Sequence, residues 1–215
     1  MKIVNVAQRS PEWVAARLGR FTGSQASEMC ATIKTGEAAV RRDLRMRLVC
    51  ERLTGVSQDD TFQSDAMKRG LELEATAFAA YEALTGHVVQ RVGFCAHEHP
   101  DVLAGCSPDG QLDNFKGLLS LKCPKTTTHV SYMRAEVMPA LYVPQMLHEL
   151  WITGAQYYDF MSFDDRLPAD LQTFLIRVPR VQAAVDDYAE RAMDFLEEVT
   201  LEIDAINEIR KRRAA

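Results

Sequence analysis

Ser107-Pro108-Asp109-Gly110 and, shortly after it, Leu119-Ser120-Leu121-Lys122-Cys123-Pro124 put a turn acid close to a strand lysine. Proline and glycine bracket Asp109 in a tight turn between two apolar runs, which read as neighbouring strands. Side chains alternate along a strand, so Ser120 and Lys122 project from one face, and Asp109 reaches that face from the turn. Phosphodiester hydrolysis uses such a pair. The carboxylate holds a hard divalent cation, and the ammonium positions or activates the attacking water and offsets phosphate charge. The pair alone recurs by chance in many proteins, so its meaning depends on its surroundings.

Working outward, Val88–Phe94, Leu103–Cys106 and Leu118–Cys123 alternate with the turn formers Pro100-Asp101, Pro108-Asp109-Gly110 and Asp113-Asn114, which predicts an antiparallel meander. Ser10-Pro11-Glu12 starts a helix that stops near Gly19, and Ser24 starts a second, short one. A third helix spans Glu37 to Leu53 and ends at Gly55; Val56 to Ser64 is a polar loop. Ala66 to Leu84 repeats apolar residues at helical spacing and ends at Gly86. A helix over Leu141–Thr153, strands at Tyr157–Phe163 and Thr173–Val178, and a long amphipathic helix from Val181 to Arg213 complete the chain. The expected fold class is α+β: one domain over 1–215, with a mixed central sheet flanked by helices.

The chain has 215 residues, 47% hydrophobic and 26% charged, which describes a globular domain and excludes disordered and collagen-like classes. Its 25 Lys+Arg against 30 Asp+Glu give a net charge of -5, which argues against a generic basic nucleic-acid coat but leaves room for a locally basic channel. The five cysteines lack metal or redox spacing, and the five histidines are dispersed, with no zinc set among them. Apolar runs are short and broken by charge, so no membrane association is expected and a cytoplasmic location is.

The words around the Asp–Lys pair are less common than the pair. Trp13 to Ser24, Gly70-Leu71-Glu72-Leu73-Glu74, Cys106 to Gly110 with Gly117 to Pro124, and Pro144-Gln145 ahead of His148 and Trp151 fall in one order along nearly the whole chain. In these anchors the sequence resembles the phage lambda exonuclease family, the YqaJ-type viral recombinases with a PD-(D/E)-x-K nuclease core. The resemblance implies a restriction-endonuclease-like core and a Mg²⁺-dependent exonuclease that digests linear double-stranded DNA from a 5′ end, leaving 3′ tails for recombination. Mn²⁺ is a substitute, and two ions are expected per site, held by Asp109, the position of Ser120 and the Leu121 carbonyl. Lys122, Glu74 and Gln145 are the further catalytic candidates, and Arg17, Ser24 and Ser107 the 5′-phosphate pocket. A ring-shaped homotrimer and a single-strand annealing protein are the implied partners.

One position departs from the family pattern. Where the family has a metal-binding Glu, this chain has Ser120, a poor, neutral ligand for Mg²⁺. Three readings follow: an inactivated variant, weakened metal binding, or a second acid recruited elsewhere, with Glu136 and Glu149 as candidates. A non-catalytic DNA-end-binding protein and an endonuclease of the same core are the alternative functions. Arg41, Arg42 and Arg45 share a helix and are expected to meet the DNA backbone, as are Lys68 and Arg69.

Overall fold

The computed structural model describes residues 1–58 and 65–214; the far part of the expected polar loop, 59–64, lies outside the described residues. Two four-stranded mixed sheets stand where one central sheet is expected. The first has the order β1 (Lys2–Val4), β3 (Phe94–Ala96), β4 (Ala104–Cys106), β2 (Phe21–Thr22), and the second runs β5 (Gly110–Leu112), β6 (Gly117–Lys122), β7 (Tyr157–Phe163), β8 (Thr173–Pro179). The expected meander is therefore divided: β3–β4 and β5–β6 are each antiparallel, but they belong to different sheets. Residues 88–93 contribute only a bridge at Gln90 to Gln111 rather than a strand. The chain leaves one sheet and enters the other at Ser107-Pro108-Asp109, so the acid sits where the two sheets meet.

The helices follow the apolar spacing closely. Ser10 caps α1 (Pro11–Arg17) by accepting the Trp13 N–H at 3.2 Å, with proline in the first turn where no amide partner is lost. The turn expected to begin at Ser24 begins earlier: Thr22 is the cap, Gly23–Gln25 is a 3-10 turn, and α2 (Ala26–Met29) is four residues long. α3 (Ala39–Thr54) and α6 (Val143–Thr153) both end at glycines in the left-handed region, Gly55 and Gly154. α4 (Asp65–Thr85) and α7 (Gln182–Ala214) match their expected bounds closely, and α5 (Thr126–Ala135) was not foreseen.

Strand alternation splits the second sheet's packing into two faces. Leu119 and Met161 pack with Ala77, Phe78 and Tyr81 of α4 on one side; Leu118, Tyr158 and Phe160 pack with Met146 and Leu150 of α6 on the other. β6 and β7 are parallel, with α5 and α6 as the crossover between them. Ser120, one residue from Leu119, therefore faces α6. The third core joins β2, α3, β4 and α7 through Phe21, Leu44, Leu48, Ala104, Phe195 and Val199. α6 contacts both sheets: on its other flank His148 bonds the Gly105 carbonyl of β4 and the Tyr188 hydroxyl, both at 2.9 Å. Among the described residues no helix is long and apolar enough to cross a membrane.

Candidate active site

Pairing between β5 and β6 stops at Gly110 opposite Leu119, so the β6 edge beyond it is open on that side. Asp109 fills the opening: its Oδ2 accepts the Leu121 N–H at 2.8 Å. A strand residue's N–H and C=O point to the same edge, so the Leu121 carbonyl faces the side on which Asp109 lies. Lys122 Nζ is 3.9 Å from Asp109 Oδ2 and 5.2 Å from the centroid of the Tyr142 ring. The turn is pinned by Gln8, whose Nε2 donates to the Pro108 carbonyl at 3.0 Å and the Val92 carbonyl at 2.8 Å. Gly110 is required there, because a Cβ would collide with Val89 Cγ1 at 2.2 Å.

Glu74 shares this place. A cavity of about 260 Å³ is lined by Arg9, Gly70, Leu71, Glu74, Asp109, Leu121 and Cys123. The Glu74 carboxylate accepts from Arg9 at 3.3 Å and Arg91 at 2.6 Å, which hold it in position. Neither arginine was singled out from sequence; Arg9 precedes the cap of α1 and Arg91 falls in an unpaired stretch, so no periodicity marks them.

On the α6 face of β6 lies a second group. Ser120 is 1% exposed and Glu149 2% exposed, and neither Ser120 Oγ nor Glu149 Oε2 has a hydrogen-bond partner. Gln145, one turn earlier on α6, donates Nε2 to Glu149 Oε1 at 2.8 Å. Burial pushes the Glu149 carboxyl up to about 7; the Gln145 bond and Lys122 pull the other way, and the Asp109 charge adds to the rise. Burial first, then Glu149, raises the Tyr158 hydroxyl well above its ordinary value, with Ser120 opposing. Glu136, the other acid weighed from sequence, is exposed at the left-handed C-cap of α5.

Arg17, Ser24 and Ser107 are also brought together. The Arg17 guanidinium donates to Thr22 Oγ1 at 3.5 Å and Ser24 Oγ at 3.4 Å and stacks 4.2 Å from the Trp13 ring centroid. The Trp13 indole N–H donates to Ser107 Oγ at 2.9 Å. Ser24 lies inside a three-residue turn rather than at the start of a long helix, so the attraction for an anion comes from Arg17 and not from a helix dipole.

Arg41 and Arg45, expected at the DNA backbone, line one face of α3; that face is turned to α7, where both bind Glu198, and both also bind Glu37 ahead of α3. Arg42 is exposed beside Asp43, and Arg69 binds Asp164 and Asp165. Among the described residues no three or more His, Cys, Asp or Glu side chains are gathered to hold a metal. Asp109 and the Leu121 backbone lie together at the open strand edge, and the buried Glu149 Oε2, which makes no hydrogen bond, is a further oxygen of the kind a hard divalent ion takes.

Residues 12–156 match the YqaJ-like viral recombinase domain, a span that includes the site residues from Trp13 to Glu149 and leaves out Gln8, Arg9 and Tyr158. The chain belongs to that family. Two crystal structures of a YqaJ-type relative, the alkaline exonuclease LHK-Exo from Laribacter hongkongensis, one in complex with dAMP, are 35% identical to it. They superpose with TM-scores of 0.85 and 0.84 over 96% of this chain and 100% of theirs. A phage-related exonuclease from Haemophilus somnus 129PT shares the fold at 14% identity, with a TM-score of 0.68 over 87% of this chain and 96% of that one. No curated protein matches the chain. The YqaJ membership bears out the resemblance carried by the four sequence anchors, and the two-sheet architecture is the YqaJ fold.

Proposed function

We propose that this YqaJ-family protein is a Mg²⁺-dependent deoxyribonuclease that digests linear double-stranded DNA from the 5′ end and leaves 3′ single-stranded tails. The observation that carries the reading is Asp109 at the open edge of β6, bonded to the Leu121 amide and 3.9 Å from Lys122. Its family and the 35% identity to an alkaline exonuclease support the same class.

Asp109 and the Leu121 carbonyl would hold the divalent ions, two per site, with Mn²⁺ as a substitute. When bound, such ions lower the pKa of water and stabilise charge on the leaving oxygen. Lys122 offers its ammonium to the attacking water and to the scissile phosphate, and Tyr142 beneath it limits where that ammonium can go. Glu74, clamped by two arginines, presents a fixed carboxylate to the same cavity and orients the water. Gln145 holds Glu149 through one amide hydrogen and has a second for a phosphate oxygen. Arg17 supplies the charged donors for a terminal 5′-phosphate, with Ser24 and Ser107 as neutral ones. Arg42 is the exposed member of its row left for the DNA backbone.

A homotrimeric ring around the duplex and a single-strand annealing protein complete the proposal, in keeping with the family. The test is digestion of linear and closed circular duplex in Mg²⁺ with end-labelled strands, together with the mass in solution. Loss of 5′ label from linear DNA alone, by a trimer, supports the reading. Cutting of closed circles would make it an endonuclease, and binding of ends without hydrolysis a non-catalytic end-binder.

A further inference from the structure

We infer that Glu149 of α6 supplies the second metal-binding carboxylate that β6 lacks at Ser120. This rests on the metal-dependent reading above and adds to it a ligand from a different element of the fold.

Three observations converge. First, Ser120 and Lys122 share the β6 face that looks at α6, and Glu149 stands on α6 next to Leu150, which with Met146 packs against that face. Tyr158, in register with Leu118 on the neighbouring strand, feels both Ser120 and Glu149, and the charges of Asp109 and Lys122 both reach Glu149. An acid projecting from strand position 120 and an acid projecting from helix position 149 therefore point into the same space from opposite walls.

Second, Glu149 is placed as a ligand rather than as a structural acid. One oxygen, Oε1, is held by Gln145 at 2.8 Å and backed by Gly23, where a Cβ would lie 3.4 Å away. The other, Oε2, is buried and makes no hydrogen bond of normal geometry, and the Tyr158 hydroxyl also acts on the carboxylate. A buried carboxylate oxygen without a donor costs free energy, which a divalent cation would offset. The buried acids that serve the fold look different: Asp159 takes Tyr81 and two bonds from Arg177, and Asp164 takes Arg166 and Arg69.

Third, the serine makes the space. Ser120 Oγ is itself buried and makes no hydrogen bond of normal geometry, with only the Tyr158 hydroxyl of the neighbouring strand acting on it. A glutamate at 120 would extend into the volume Glu149 already occupies, and two carboxylates buried there without a cation would repel. The strand acid and the helix acid are alternatives, and this chain uses the second.

The test is calorimetric titration of the full chain with Mn²⁺ alone, in the absence of DNA, on four proteins: the parent, Glu149→Gln, Ser120→Glu, and the double variant Ser120→Glu/Glu149→Gln. Glutamine keeps the Gln145 bond and the volume, so Glu149→Gln should fold, and an unchanged thermal midpoint without metal confirms it. Removing one of two carboxylate ligands should weaken Mn²⁺ binding at least about tenfold, since affinity follows ligand charge. The double variant should recover it to within a few-fold of the parent, whereas Ser120→Glu alone should not improve on the parent. Equal binding by the parent and Glu149→Gln would overturn the inference and leave the metal reading standing. Loss in Glu149→Gln without recovery in the double variant would also overturn it, because a merely structural role predicts that pattern. A parent that takes up no Mn²⁺ would remove the metal reading and this inference together.

Discussion

The Trp13 indole N–H donates to Ser107 Oγ at 2.9 Å, tying helix α1 to the turn that carries Asp109. Because the same indole supports the Arg17 guanidinium at 4.2 Å, the cation that would receive a terminal phosphate is positioned from the strand that would cut the chain.

A duplex with a 5′-phosphate should be digested faster than the same duplex with a 5′-hydroxyl, and Arg17→Ala should erase most of that difference. Loss of a charge-assisted bond costs about 1.5–3 kcal/mol, on the order of tenfold to a hundredfold in relative rate. Trp13→Phe keeps the ring beneath Arg17 but drops the Ser107 bond, so it should give a smaller loss. Competition between the two end-labelled duplexes measures both. Equal rates on both ends in the parent chain would remove the pocket and the 5′ polarity with it.

Asp109→Asn should stop hydrolysis while leaving the fold in place, because the amide oxygen still accepts the Leu121 N–H. The cost to stability is about 1 kcal/mol or less. Lys122→Met should lower the rate by on the order of 10²–10⁴, the range of a positioned proton-handling group. Single-turnover digestion with thermal melting of each variant separates chemistry from folding. Full activity in either variant would mean that the site lies elsewhere.

His148 should make the protein acid-sensitive. Burial pushes its imidazole down to about 4, and the Gly105 carbonyl, which only accepts, fixes the proton on Nε2 so that Nδ1 accepts from Tyr188. The unfolded chain then binds a proton near pH 6.5 that the folded chain refuses. The stability this group contributes is complete above 6.5 and falls progressively as pH drops toward 4, by on the order of 3 kcal/mol in all. His148→Gln should be less stable at neutral pH yet show a flatter decline between pH 6.5 and 4.5 in denaturant titrations. An unchanged slope would show that other groups control the acid limb.

Glu198→Ala should destabilise the fold by about 1 kcal/mol and leave duplex affinity unchanged, since it removes the α7 partner of Arg41 while Arg45 keeps Glu202, and it removes no proposed DNA contact. The loss should shrink as salt is raised, as screening weakens the parent's ion pairs. Arg42→Ala should show the reverse pattern: stability kept, DNA binding weakened. Filter binding and melting at two salt concentrations distinguish the two.

The helices were legible in the sequence because α4 and α7 repeat apolar residues over many turns and α3 and α6 end in glycine. The division into two sheets was not, because strands as short as Phe94–Ala96 and Ala104–Cys106 are buried throughout and show no alternation. At the site, local spacing brings Asp109 and Lys122 to one strand face, but their reading as a site, and the choice of the Leu121 carbonyl, come from the resemblance of the surrounding anchors. The fate of Arg41 and Arg45 was not: their partner Glu198 is more than 150 residues away, and a charge row reads the same whether it faces water or another helix. Glu149 could be nominated from sequence but not chosen over Glu136, since only packing distinguishes a buried acid from a helix-end one.

The open end of β6 has a further consequence, for solubility. A strand edge with free backbone groups invites a second chain to continue the ladder, and under the proposed function this one would have to stay open for DNA. Lys122 puts a charge on that edge, Pro124 follows with no N–H to offer, and Asp109 occupies the Leu121 amide. The residues proposed for the chemistry thus also make the edge a poor template for aggregation. Replacing Lys122 with an apolar side chain removes one of those guards along with the chemistry, so loss of activity in such a variant should be accompanied by a greater tendency to self-associate.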